Sequence, residues 1–173
     1  MKIFILQYKG TSFISKLIKA VTWSKYSHTA IAHGGTGWCV EAWEKGGITM
    51  AASPWENHKP NTEIDVYSFK PDWIYQNRQI WKAALAMTEY KYDFISLLGF
   101  LPILRHFWKD DPKKFFCSHL VAQVCSAGDS PLFSEQTPLY KISPGLVPWS
   151  PRLKYAATVT NNEEWDQFLE RVK

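Results

Sequence analysis

Cysteine is scarce in this chain: three among 173 residues, at 39, 117 and 125, with an odd count and no CxxC pair. That excludes a disulfide framework and fits a reducing compartment. Dense basic runs are missing as well. The net charge is only +4, so nucleic acid is not an expected partner. Long apolar runs are also missing, because "FISLLGFLPILRHFW" is shorter than a bilayer span and is cut by Pro102. The opening "MKIFILQYKG" has a short apolar run and no cleavage motif after it. It reads as a strand rather than a secretory leader, so the expectation is a cytoplasmic or phage-encoded protein. There is no internal repeat and no low-complexity tract. What is present is an ordinary globular composition, 46% hydrophobic and 21% charged, enough for one domain over residues 1–173. Aromatics reach 16%, a supply that can build a core and still line a groove.

Strand and helix signals alternate. Residues 3–8 read as a strand, and Gly10 to Ser12 as a turn into a helix N-cap. In "FISKLIKAV", residues 13–21, Phe13, Ile14, Leu17, Ile18 and Val21 form one apolar stripe, with Lys16 and Lys19 off it. Such a helix covers the core or, being basic, lies on a membrane surface. "YSHTAIAHGGTGWCVEAW" reads as a hairpin: Thr29 to Ala32, a Gly34-Gly35 turn, then Trp38 to Trp43. Residues 62–69 predict a strand. "DWIYQNRQIWKAALAMTEY" predicts a helix capped by Asp72, with Ile80, Trp81, Ala84, Leu85 and Thr88 on one face. Residues 92–108 read as helical up to Pro102, 109–114 as a charged loop, and 116–127 as a helix stopped by Gly128. The proline-rich stretch 130–153 suits irregular structure. "KYAATVT" is a strand, and "NNEEWDQFLERVK" a capped helix with Trp165, Phe168, Leu169 and Val172 in register. The sum is an α+β fold with an antiparallel sheet packed against helices.

The chemistry gathers at the helix beginning with Cys117. Leu120, Val121, Val124 and Cys125 lie three, four, seven and eight positions on, so Cys117 shares the buried stripe at what should be its exposed end. Helix N-termini stabilise anions and lower thiol pKa values, and Lys113 and Lys114 would add to this if the loop folds back. Cys125 lies deeper and Cys39 in a strand, so both read as filler. A thiolate nucleophile wants a base and the base an orienter. A two-residue loop at Gly34-Gly35 would set His28 directly opposite Glu41, on one sheet face. The roles would then be Cys117 as nucleophile, His28 as general base and acid, and Glu41 as the group fixing the imidazole. The Cys117 N–H would be an oxyanion donor. The alternative is packing: a small buried thiol and a structural histidine. His119 points to another helix face, His33 sits at the turn, and His58 and His106 fall in loops with no evident partner. Cys117, His119 and Cys125 match no zinc spacing, and Asp110 with Asp111 read as a solvated loop, so no metal or other cofactor is expected.

"YSHTAIA", "CVEAW", "YKYDFISLLGF" and "FFCSHLVAQV", in that order, resemble the circularly permuted NlpC/P60 cysteine hydrolases, in particular the YiiX/YaeF-like branch. The resemblance runs from the first strand to "ISPGLVPWSP". It implies a papain-like core in which the histidine hairpin precedes the nucleophile helix. It places the cysteine on Cys117, the histidine on His28 and the third polar residue on Glu41, and it suggests Tyr92 as a contributor to the oxyanion site. Cys-Ser-His stands here where the branch commonly reads Cys-Ser-Glu, a departure toward lecithin:retinol acyltransferase-like enzymes, which puts the substrate class in question.

Three functions follow as expectations. The first is a thiol amidase or peptidase acting on peptide or peptidoglycan-type amide bonds. The second is a lipid-directed acyl hydrolase or acyltransferase, with "FISLLGFLPILRHFW" and the helix at 13–21 in contact with a membrane surface. The third is a catalytically idle binding module that uses only its aromatic groove. The expected partners are accordingly a peptide, a peptidoglycan fragment or a lipid-linked substrate.

Overall fold

The computed structural model describes residues 1–44, 46–71, 76–93, 100 and 113–173. Asp72, His106, Asp110, Asp111 and most of the segment 92–108, expected to be helical up to Pro102, lie outside them. The strands are β1 (Ile3–Tyr8), β2 (His28–His33), β3 (Cys39–Trp43), β4 (Gly47–Ala51), β5 (Ile64–Phe69), β6 (Lys91–Tyr92), β7 (Lys114–Phe115) and β8 (Leu153–Val159). The helices among the described residues are α1 (Phe13–Val21), α2 (Asn77–Ala86), α3 (Cys117–Ala127) and α4 (Asn162–Val172). Six strands form one antiparallel sheet in the order β4-β3-β2-β1-β5-β8, and β6 pairs with β7 in parallel. No helix of the described residues is long and apolar enough to cross a membrane.

Strand alternation divides the core into two layers. Ile3, Ile5, Ile31, Val40, Ala42 and Ile48 point to one face, against Leu120, Val121 and Val124 of α3 and Ile80 of α2. Phe4, Leu6, Tyr8, Ala30 and Ala32 point to the other, where Trp165, Phe168 and Leu169 of α4 cover them. Each large side chain so buried contributes about 1.5–3 kcal/mol. Helix α3 is nearly enclosed: Ser118 and His119 are buried along with the predicted stripe, and the Ser118 hydroxyl donates to the Ile142 carbonyl at 2.6 Å. The proline-rich segment is irregular apart from short 3-10 turns at Leu139–Lys141 and Val147–Trp149.

The predicted caps hold at Ser12, which accepts from Ser15 N–H, and at Asn161, which accepts from Glu164 N–H, about 1 kcal/mol each. Helix α2 starts later than predicted and has no side-chain cap. Strand β4 was not among the expectations, although Ile48 and Met50 alternate as a strand requires. The hairpin loop corrects a further expectation. His33 N–H bonds to the Trp38 carbonyl and Gly37 N–H to the His33 carbonyl, each at 2.8 Å, with Gly37 at φ +79. The loop is therefore four residues, 34–37, and Glu41 pairs with Ala30 rather than His28.

Helix α1 departs from the expected core cover. Only Ile18 of its stripe is buried, while Phe13, Ile14 and Leu17 are exposed. The chain after it is fastened by Asp65, which accepts from Tyr26 Oη (2.6 Å) and Thr158 Oγ1 (2.6 Å) and pairs with Lys25 (3.1 Å) and Lys9 (2.9 Å). Burial opposes the Asp65 charge, but the hydrogen bonds from Thr158 and Tyr26 and the two lysines outweigh it and hold the carboxyl at about 2.

Candidate active site

His28 opens β2 and Glu41 lies in the middle of β3. Because the register slips by two residues, side chains keep their face, and His28 stands one step along the same face from the residue opposite Glu41. The diagonal is short enough to bond: His28 Nε2 meets Glu41 Oε2 at 2.8 Å. Glu41 is buried and fully engaged. His58 Nε2 meets the same Oε2 at 2.9 Å, and Asn57 Nδ2 donates to Oε1 at 2.9 Å. Burial alone would raise the Glu41 carboxyl, yet the bonds from His28 and His58 hold it well below the usual carboxylate range.

His58 corrects the expectation that it has no partner. The loop between β4 and β5 is pinned by buried Trp55, whose indole donates to the Thr62 carbonyl at 2.9 Å, and this brings the imidazole inward. His58 stacks on Tyr8 at 4.0 Å between ring centroids, with Trp43 edge-on at 4.9 Å. Tyr8 also meets His28 edge-on at 5.2 Å. Burial lowers the His58 pKa, and although Glu41 opposes this, the charge on His28 adds to the lowering. His58 therefore stays neutral and donates to the carboxylate.

His28 behaves in the opposite way. Burial pulls its pKa down, but the negative charge and hydrogen bond of Cys117, with those of Glu41, outweigh burial and hold the imidazole at about 10. With Nε2 engaged by Glu41, Nδ1 is the ring nitrogen left for Cys117. The layers make this junction unusual. Glu41 lies on the sheet face away from α3, while Cys117 heads the helix that packs on the opposite face. His28, at the first position of its strand, joins the two.

Cys117 is only 1% exposed, so it is not the open helix end that the sequence suggested. Its helix begins behind Phe116, which provides no side-chain cap, and the first backbone bond of the ladder is Leu120 N–H to the Phe116 carbonyl at 2.9 Å. The Cys117 N–H thus lies ahead of the ladder at the positive end of α3. Tyr92 reaches the same place because β6 and β7 pair Tyr92 with Phe115, two residues before Cys117. Burial and the Cys117 charge push the Tyr92 phenol well up, so it stays a proton donor. Cys39 and Cys125 are buried thiols whose pKa values burial raises, as fits filler. His119 is buried against the rings of Phe115 and Phe116.

A cavity of about 420 Å³ opens beside these groups, lined by His28, Trp43, His58 and Tyr92 on one side and by Phe13, Ile14 and Ile18 of α1 on the other. The described residues also bring one set of metal-type donors together. His28, Glu41 and His58 place a ligand atom each within 4.8 Å of one another. Cys117, His119 and Cys125 form no such group among the described residues.

No protein-family model and no curated protein matches this chain. Among solved structures it is similar to the metalloprotein YiiX of Escherichia coli O157:H7, with a TM-score of 0.67 and 20% identity, over 92% of this chain and 97% of that one. Nearly the whole length of both chains is therefore matched, and this chain has a YiiX-like fold.

Proposed function

We propose that this protein is a cysteine hydrolase of the permuted NlpC/P60 type, acting through an acyl-enzyme on amide bonds of peptide or peptidoglycan-type substrates. The observation that carries the reading is one buried imidazole in contact with both Cys117 and Glu41. Histidine between a thiol and a carboxylate is the arrangement that activates a nucleophile and fixes the proton's route. The Cys117 sulfur attacks the carbonyl carbon, and the developing oxyanion takes hydrogen bonds from the Cys117 N–H and the Tyr92 hydroxyl. The adduct collapses with cleavage of the C–N bond, and His28 gives its Nδ1 proton to the departing amine. Water then attacks the thioester and loses a proton to His28, releasing the acid and restoring the starting pair. Glu41 keeps the ring oriented throughout, while Asn57 and His58 hold Glu41.

Incubation with an activated acetyl ester tests this. The expected result is a single acetyl group on Cys117 by peptide mass spectrometry, absent in Cys117→Ala and at least about 10²-fold slower to form in His28→Ala. Acetylation that ignores His28 would sink the proposal.

The donor triangle favours a second reading. Two imidazoles and a carboxylate suit Zn²⁺ or a similar divalent ion, and YiiX is a metalloprotein. The set fits. His28, Glu41 and His58 would hold the ion, which supplies Lewis-acid chemistry when bound. Their mutual hydrogen bonds would then be replaced. Equilibrium dialysis against Zn²⁺ is expected to give one ion per chain, lost in His58→Ala, if this reading holds. No uptake leaves the thiol reading alone.

A further inference from the structure

Helix α1 ends in a Schellman motif: Ser24 N–H bonds to the Lys19 carbonyl at 3.0 Å and Trp23 N–H to the Ala20 carbonyl at 3.4 Å. That places Trp23 at the left-handed position, φ +50, where glycine is usual. The side chain is 96% exposed, so no packing within the described fold compensates the strained backbone. A large indole held in water on a disfavoured φ has a use outside the fold. It has company. Phe13 is 82% exposed and Ile14 and Leu17 also face solvent. Gly145 lies so close to Ser24 that an added Cβ would come within 2.4 Å of the Ser24 Cβ, which brings the loop bearing exposed Leu146 and Trp149 beside the same helix end.

The segment that carries α1 has charge of one sign, with Glu44 across the cavity as an acidic neighbour. Residues 1–40 contain five lysines and no aspartate or glutamate. Lys9 and Lys25 are engaged by Asp65, but Lys16 and Lys19 belong to α1, and Lys16 lies one turn from Phe13 beside the apolar stripe. Exposed Trp and Phe with flanking lysines on an amphipathic helix are what an anionic lipid interface binds: the rings enter the headgroup zone and the ammonium groups meet phosphate. We propose that α1 and the Trp23 turn dock this protein on an anionic lipid bilayer. The cavity beside the candidate site has Phe13, Ile14 and Ile18 in its wall, so docking brings its mouth to the lipid surface. Insofar as the hydrolase reading holds, the substrate is then an amphiphile presented by that surface.

The test is co-sedimentation of the full chain with phosphatidylcholine vesicles, with and without phosphatidylglycerol. Expected is binding at least about tenfold stronger to the anionic vesicles, weakened at ~0.3 M salt. Leu17→Gln and Trp23→Asn are each expected to weaken it about fivefold or more, and Lys16→Glu with Lys19→Glu to reduce it to the neutral-vesicle level. Trp23→Asn carries a second readout. Asparagine tolerates the left-handed region, so its Tm stays level or rises while vesicle binding falls; a structural role would lower Tm instead. Cys117→Ala should bind like the wild type, which separates docking from the fate of the hydrolase reading. Absence of binding to anionic vesicles, or binding untouched by Leu17→Gln and Trp23→Asn, overturns the proposal. So does Trp23-dependent self-association without vesicle binding, which would make a second copy of the chain the occupant.

Discussion

Alkylation of Cys117 by iodoacetamide at pH 6 is expected to slow by about 10²-fold in His28→Ala. The attacking species is the thiolate, and an adjacent imidazolium stabilises a thiolate. His28 provides that charge because Cys117 and Glu41 overcome the effect of burial and hold the imidazole at about 10. The wild-type rate should therefore change where the imidazole loses its proton, at about 10, and the His28→Ala rate should lack that feature. Linkage gives the same window for stability. A histidine raised on folding stabilises fully below its unfolded value, and that contribution is lost as pH rises through about 10. Glu41, lowered on folding, stabilises above the ordinary carboxylate range and loses its contribution as pH falls. A wild-type profile that overlays that of His28→Ala would mean that the thiol is packing and that the aromatic groove is the functional element.

Glu41→Ala should be the most damaging change to stability. It strips the Nε2 partner from two buried imidazoles, one of them charged, and removes the acceptor for Asn57. Breaking a buried charge pair by removing one partner costs about 3–5 kcal/mol, which in a domain of this size lowers Tm by roughly 10 °C or more. Glu41→Gln retains an acceptor and should cost less stability, yet an amide no longer favours the imidazolium, so acylation should still fall about 10²-fold. His58→Phe keeps the stack on Tyr8 and loses one hydrogen bond, for about 1–2 kcal/mol. Urea unfolding of the three variants gives the order. A Glu41→Ala unfolding free energy within about 1 kcal/mol of wild type would remove the carboxylate from the centre of the site.

The candidate site was half legible in the sequence, and the reason differs from residue to residue. Cys117 was readable because helix periodicity is local, and α3 begins where the apolar stripe and Gly128 implied. Its burial was not, because enclosure depends on segments remote in sequence, such as the one that brings Ile142 against Ser118. The pairing of His28 with Glu41 follows from the hairpin pattern whether the loop has two residues or four, because a difference of two leaves both side chains on one face. His58 and Asn57 gave no signal. They sit in an irregular loop whose course is set by a buried tryptophan and a neighbouring strand, neither of which leaves a periodic trace. The stripe of α1 was read correctly as a pattern, but a pattern does not say which side water is on, and here much of the apolar side faces it.

The four-residue loop at 34–37 has a consequence for how such chains can diverge. Surface loops are where chains gain and lose residues most freely. In this hairpin the histidine stands before the loop and the carboxylate after it. A slip of β3 by one residue against β2 would turn Glu41 to the opposite face of the sheet. A slip of two only slides it along the face it already occupies. Residues gained within 34–37 leave that register intact, so chains that keep the pair are free to differ in loop length, whereas a residue gained inside β2 or β3 between His28 and Glu41 should coincide with a bulge or with the loss of one partner.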